Sequence, residues 1–500
     1  MEKTSSEISA RKLQKFLADK AEEVLGIVRK IVLEDQKKIK CKEITEALNY
    51  LARAYWLDKT KLALPTDLHE IIGRQHEITK SVAVPLVLID KALDVHDDIV
   101  VGSMNKYGES TIYGKFGRDI ALLVGDAILL KGLILLQKTV NSYKEKIPAL
   151  PTLRERTTTI LSISQETHQA DKIMDTVRKT MKERSLKPLE MAKKEVFVGE
   201  TKNKEVQKAL DHFVAECWQE MSPALSPTLI SLASEAVGGD SEATTPIATS
   251  MLLMAMGIKV HDDIIDNSKT KEGHLTIFGK FGTNTALIAG RVLIVKAFKL
   301  LHKASAKVQT DKIVHILEII QRSFFEFGVA EALELKLRGD LCIMPQEYIG
   351  IVEMKASMTE AETQIGGIIG GATRKEIKIL GEYGSILGKL AMIRDEFIDI
   401  FEIDELQHRM ANECLPLPIL CALQNKRAKE ELMSILKNER LSEKSIETLV
   451  NVVYNTEEVA TLKKKIQNLY DQGLSKLASL PQNEATKLLK LLLLATISGL

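Results

Sequence analysis

Met251-Leu252-Leu253-Met254-Ala255-Met256-Gly257-Ile258-Lys259-Val260-His261-Asp262-Asp263-Ile264-Ile265-Asp266 is an apolar approach that runs into three aspartates. Its residues are mostly helix formers without apolar–polar alternation, so the segment reads as helix rather than strand. On a helix, Asp262 and Asp266 share one face a turn apart, and Asp263 lies beside them, rotated by about a hundred degrees. Such a pattern alone is ordinarily a solvated acidic face; the apolar approach argues against that here.

The segment has an earlier copy. Val95-His96-Asp97-Asp98-Ile99 precedes Val260-His261-Asp262-Asp263-Ile264 by 165 positions. Gly108, Gly114-Lys115-Phe116-Gly117 and Gly125 precede Gly273, Gly279-Lys280-Phe281-Gly282 and Gly290 by the same interval. One register held across about thirty positions predicts an internal duplication. The copies differ at the third acid: Asp266 has Val101 as its counterpart.

Helical signals extend along the chain. Only 12 prolines interrupt it, and Ile313, Ile316, Leu317, Ile319 and Ile320 show three-and-four spacing. Breaks fall at Lys146–Pro151, Val198–Asn203, Gly238–Pro246 and Asn412–Pro418. The expected fold is all-α, a helical bundle. Residues 1–200 are expected to be a truncated, degenerate copy, and residues 201–500 a complete one with a tail that the first lacks.

A net charge of +1 over 500 residues, without a long basic run, excludes nucleic acid as the expected partner. Five scattered cysteines suit a reducing cytosol and give no zinc or disulfide framework. The N-terminus has no apolar signal region, and the apolar run Leu491–Leu500 is too short to span a bilayer. A cytoplasmic protein with no transmembrane segment is expected. His96 and His261 stand alone among apolar residues and read as hydrogen-bonded core histidines. Met251, Met254 and Met256 read as core filler. Gly366-Gly367 and Gly370-Gly371 read as a close helix contact.

A second acidic cluster, Asp395-Glu396-Phe397-Ile398-Asp399, repeats the one-and-five spacing in equally apolar surroundings. Two such helices facing each other would line a cavity with hard oxygen ligands. That setting suits Mg²⁺ completed by substrate phosphate oxygens. A metal-bound diphosphate becomes a good leaving group because the metal stabilises its developing charge.

These residues resemble the trans-isoprenyl diphosphate synthases, or polyprenyl synthetases. The resemblance rests on Asp262–Asp266, Phe281-Gly282, Ala286-Leu287-Ile288-Ala289-Gly290-Arg291, Lys355-Ala356-Ser357, Arg394–Asp399 and Leu417-Pro418, in order over residues 205–425. It implies an isoprenoid-synthase-type bundle and Mg²⁺, three ions together with the substrate diphosphate. Asp262, Asp266, Asp395 and Asp399 would be metal ligands, with Asp263 as a further catalytic acid. Lys271 and Lys355 would hold the diphosphate of an allylic prenyl substrate. Gly257 and Ile258 would line the wall of the prenyl-tail pocket, although Gly257 equally suits close helix packing. The family usually forms homodimers, so the resemblance also implies an internal pseudo-dimer between the copies, with further homo-oligomerisation open.

The chain departs from the family where a second diphosphate, that of isopentenyl diphosphate, would bind. A basic segment is replaced by Met221-Ser222-Pro223-Ala224-Leu225-Ser226-Pro227, a histidine by Ala255, an arginine by Glu272, a Phe-Gln by Ala391-Met392 and a late lysine by Cys414. A polyanion needs several cations. The expected reaction is therefore ionisation of an allylic diphosphate without isopentenyl diphosphate, as in class I terpene synthases. The alternatives are a chain-elongating prenyltransferase and a non-catalytic partner subunit of a prenyl synthase. The first copy keeps Asp97, Asp98, Lys106 and Asp126.

Overall fold

Leu-, Ala-, Lys- and Ile-rich sequence gives helix almost throughout the computed structural model, which describes residues 26–33, 41–54, 76–106, 109–144, 169–197, 203–217, 224–271, 274–305, 308–437 and 441–497. The chain divides into two compact units, residues 1–146 and 147–500.

In the first unit, α1 (Lys42–Ala54) and α2 (His76–Val101) pack on α3 (Ile112–Lys144). Two-residue strands Asn105–Lys106 (β1) and Glu109–Ser110 (β2) form a hairpin between α2 and α3. The second unit opens with α4 (Gln169–Phe197), α5 (Lys204–His212), α6 (Leu225–Ala236) and α7 (Thr245–Ile265). A matching hairpin of β3 (Thr270–Lys271) and β4 (His274–Leu275) leads into α8 (Ile277–Ser305). Then follow α9 (Thr310–Leu337), α10 (Pro345–Lys355), α11 (Ser357–Gly370), α12 (Arg374–Ile398), α13 (Ile403–Asn412) and α14 (Leu417–Ala422). The remaining helices are α15 (Lys426–Leu436), α16 (Glu443–Tyr454), α17 (Glu457–Ala478) and α18 (Glu484–Ile497). The all-α expectation holds. The hairpins escape a periodicity reading because two residues cannot show an alternation.

The unit boundary lies at 146/147 rather than at the expected 200. Helix α4 packs on α6, α7 and α18 of the second unit. It buries Val177, Leu189, Ala192 and Val196, and Lys296 on α8 donates to its Glu195 carbonyl at 2.9 Å. Landmarks that recur at one interval do not say which core a segment's apolar face covers. Of the expected breaks, Gly238–Pro246 and Asn412–Pro418 fall at turns between helices; Lys146–Pro151 lies outside the described residues, as does all of Val198–Asn203 except Asn203, which caps α5.

In the second unit, α7 lies along α8, α11 packs against both α6 and α12, and α17 closes over α12. Tyr383 and Phe397 on α12 are fully buried at its centre. Gly366 and Gly370 abut the backbone of α6, where a Cβ would collide, so they serve the close helix contact that the sequence implied, whereas Gly371 (φ 85°) ends α11 as a left-handed cap. Among the described residues, one helical stretch, 242–265, is long and apolar enough to cross a membrane, and 72% of its apolar window is buried inside the protein.

Both units use the repeated landmarks alike. Gly117 (φ 83°, ψ 174°) and Gly282 (φ 78°, ψ 175°) break their helices with a backbone conformation that disfavours any side chain. Gly125 and Gly290 lie flat against the rings of His96 and His261. Those rings are buried, and Nε2 of each faces a backbone carbonyl, Leu122 O at 3.4 Å and Leu287 O at 3.1 Å. Both histidines are core residues.

Candidate active site

Helix α7 ends at Ile265, and Asp266 caps it with its amide bonded to the Asp262 carbonyl at 2.9 Å. The helical spacing is thereby kept, and Asp262 and Asp266 face one way. Asn267 then turns in the left-handed region (φ 56°). Buried Ser268 donates its amide to Asp263 O at 2.9 Å. The second cluster has the same position on its helix, because α12 ends at Ile398, just before Asp399. A helix C-terminus carries partial negative charge, so carboxylates gathered there are disfavoured unless cations stand near.

The two ends share one electrostatic environment. Glu413, between α13 and α14, raises the carboxyl pKa of both Asp266 and Asp399. His408 on α13 bonds Ser268 Oγ at 3.2 Å and pairs with Glu413 at 3.4 Å, tying the end of α7 to the segment after the second cluster. Burial, then Asp262, Glu413 and Glu331, push the Asp266 carboxyl up to about 10. Burial pushes Glu331 up to about 8 against the opposing pull of Lys355. Such crowding of hard oxygens is a cation site by its chemistry. Among the described residues, no three His, Cys, Asp or Glu side chains already form a metal-holding group. A divalent ion held there would need oxygens beyond the protein's own carboxylates, such as those of a substrate.

The expected site residues divide by what they touch. Asp262, a quarter exposed, has only a long contact of 4.0 Å with Lys271. Asp395 is an exposed residue of α12, yet desolvation pushes its carboxyl up to about 6 against the pull of Arg394. Asp263 is buried and pairs with Lys271 at 2.9 Å. Burial alone would lower the Lys271 pKa, but Asp262 and Asp263 hold it above its ordinary value. In the first unit Asp98 is fully buried and pairs with Lys106, again at 2.9 Å. That unit has exposed Val101 in place of the third acid, so the pair serves the hairpin even where the cluster is incomplete. Asp263 and Lys271 are committed first to each other.

Lys355 lies between Glu331, at 2.7 Å, and Glu334. It too is engaged by acids of its own chain. Gly257 lies against Gly290 O and Ile294 of α8, where a Cβ would crowd both. Its missing side chain serves the α7–α8 crossing, the second of its two readings. Ile258 is half-buried. Of the altered positions, Met221, Ser222, Pro223 and Glu272 lie outside the described residues, while Ala224 to Pro227 start α6 and Ala255 is on α7.

Arg409 carries no sequence signal beyond being an arginine near Leu-Pro. It is 3% exposed. Its guanidinium bonds Glu396 at 3.0 and 3.2 Å, Asp399 at 2.6 Å, the Tyr348 hydroxyl at 2.9 Å and the Cys414 carbonyl at 3.0 Å. Glu396 also accepts from Tyr348 at 2.9 Å and from the Leu417 amide at 2.7 Å. The sequence shows Glu396 only as a member of the second cluster and Cys414 as the replacement of a late lysine. In the fold, Glu396 is the anchor that fixes the second cluster to the Leu-Pro turn. Asp399 is held by Arg409, leaving Asp395 as the outward acid.

Glu362 on α11 is buried beside Ser226, and burial pushes its carboxyl up to about 7 against the opposing pull of the Ser226 hydroxyl. The folded protein then holds a proton that the unfolded chain, at an ordinary value near 4.5, has released. Stability should fall as pH rises through the window from about 4.5 to about 7, by an amount on the order of 3 kcal/mol. Glu362→Gln should raise the denaturation midpoint at pH 8 and leave it unchanged at pH 4. Equal midpoints for both proteins at pH 8 would contradict this.

Residues 207–453 match the polyprenyl synthetase family. A short chain isoprenyl diphosphate synthase of Methanothermobacter thermautotrophicus is 28% identical over 220 residues, 42% of this chain and 67% of that protein. A geranylgeranyl diphosphate synthase of Sulfolobus acidocaldarius is 27% identical over 177 residues, 35% of this chain and 54% of that one. The chain thus spans about half to two thirds of the length of these curated relatives. In fold, it is similar to the crystal structure of geranylgeranyl pyrophosphate synthetase from Pyrococcus horikoshii, with a TM-score of 0.58 at 20% identity, over 65% of this chain and 99% of that one. The ordered motifs thus lie in a polyprenyl synthetase domain at residues 207–453, and the all-α bundle that joins them is a fold shared with that crystal structure.

Proposed function

We propose that the second unit is a prenyltransferase that elongates an allylic prenyl diphosphate with isopentenyl diphosphate. The observation that carries this is a run of contacts from the end of α7 to Asp399 of the second acidic cluster, through Ser268, His408, Glu413 and Arg409. The relatives' names, all prenyl diphosphate synthases, favour elongation. Asp262, Asp266 and Asp395 would hold Mg²⁺, with Asp399 supporting from its contact with Arg409. When bound, the metal supplies Lewis-acid stabilisation of the departing diphosphate. Lys271 steadies the end of α7 through Asp263, and Lys355 fixes Glu331 and Glu334 at the wall. The first unit is a degenerate copy by this reading. Its support is the shared register together with the matching glycine breaks, buried histidines and aspartate–lysine pairs.

A second reading, ionisation without isopentenyl diphosphate, has its own support. Where the family has basic residues, Ala224, Leu225, Ser226 and Pro227 begin α6, and the nearby titratable group at Ser226 is the acid Glu362. A carboxyl there opposes a second diphosphate. Incubation with Mg²⁺ and an allylic diphosphate, with and without isopentenyl diphosphate, separates the readings. A longer prenyl diphosphate formed only with both substrates is expected. Diphosphate release with hydrocarbon or alcohol product from the allylic substrate alone would replace the first reading by the second. No turnover under either condition would leave the non-catalytic partner subunit.

A further inference from the structure

The cations around the first aspartate cluster are committed to unequal degrees. Lys271 is bound to Asp263, Lys355 to two glutamates, and Arg409 to two carboxylates, a hydroxyl and a carbonyl. Arg338 differs. It follows α9 at a turn set by Gly339 (φ 72°), whose amide bonds the Glu413 carbonyl at 3.4 Å. Its Nη2 bonds Ile265 O at 3.2 Å and reaches Asp266 Oδ1 at 3.4 Å, long for a charge-assisted contact. Its Nε is buried and, among the described residues, bonds no protein group. A guanidinium has five N–H donors in a rigid fork suited to phosphate oxygens. Here part of the fork steadies the end of α7 and part is unused, beside the acids proposed to hold the metal.

We propose that Arg338 is a further substrate-binding residue, one that holds the diphosphate group of the allylic substrate beside Asp266. No sequence motif marks it; the turn after α9 brings it to the cluster. The Asp266 contact orients the fork and keeps a positive charge at the negative end of α7. This inference rests on the proposed use of a prenyl diphosphate.

The test is binding of inorganic diphosphate with Mg²⁺ by isothermal titration calorimetry, to the full-length protein and to its Arg338→Gln and Arg338→Lys variants. Arg338→Gln should weaken binding roughly ten- to hundredfold, the loss expected for hydrogen bonds to a charged group. Arg338→Lys should recover part of it, since charge is restored without the fork. KM for the allylic substrate should rise in step. Circular dichroism and a thermal midpoint taken on each variant confirm that it is folded. Arg338→Gln that is folded and binds diphosphate as tightly as the unaltered protein overturns this inference alone. An unaltered protein that binds no diphosphate overturns the functional reading beneath it.

Discussion

Asp262→Ala is expected to lower turnover of an allylic prenyl diphosphate by roughly a thousandfold or more, at little cost in stability. Asp262 contributes little to packing: its side chain is a quarter exposed and its ion pair with Lys271 is 4.0 Å long. It stands at a helix C-terminus, where a carboxylate is electrostatically disfavoured, so alanine should leave the thermal midpoint unchanged or higher. The same substitution removes a hard ligand from the acid cluster and its effect on Asp266, Glu331 and Lys355. A large loss of rate with intact folding is the signature of a residue present for chemistry. Asp97→Ala, at the matching position of the first unit, should change the rate by less than about twofold, because that unit has Val101 in place of a third acid. Steady-state kinetics and thermal denaturation on both variants check this. An unaltered rate in Asp262→Ala would mean that the site lies elsewhere; a large loss in Asp97→Ala would give the first unit a direct part in the reaction.

Arg409→Met should destabilise the second unit by roughly 3–5 kcal/mol, the range for removing one partner of a buried ion pair. Four groups lose a donor at once: Glu396, Asp399, Tyr348 and the Cys414 carbonyl. Glu396 suffers most, because it is buried and keeps only Tyr348 and the Leu417 amide. Its carboxyl already titrates above its ordinary value, chiefly through burial and against the pull of Arg409. Without that pull the carboxyl rises further, so the variant's deficit should shrink as pH falls towards the carboxylate range. Adding Glu396→Gln to Arg409→Met removes the orphaned charge and should restore part of the loss, a coupling that a double-mutant cycle reads directly. Urea denaturation at pH 7 gives the magnitudes. A loss under about 1 kcal/mol from Arg409→Met would show that the network does not hold the second cluster.

Some of this was legible from residues alone. Periodicity and helix-forming composition determined the all-α class, because a helix's apolar face is written at three-and-four spacing wherever it lies. The spacing of Asp262 and Asp266 determined that they share a face, since the helical repeat is local. The buried lone histidines were readable for the same reason: the constraint lies within a few residues. The motif order identified the family.

What remained hidden depends on partners distant in sequence. Whether Lys271 and Lys355 are free cations or bound ones is decided by acids that only the fold brings near. Gly257 could open a pocket or close a helix crossing, and Gly290 O and Ile294 settle its packing role. The helix Gln169–Phe197 belongs to the second unit because that core, rather than the repeat boundary, covers its apolar face. Arg338 and Arg409 lie 72 residues from Asp266 and 10 from Asp399, with no pattern to mark either. The sequence by itself determined the class of fold, the acids and their helical faces, because each follows from short-range geometry. Tertiary structure alone decided which charges neutralise which, because an ion pair is set by distance in space and by burial, and neither is written in the local order of residues.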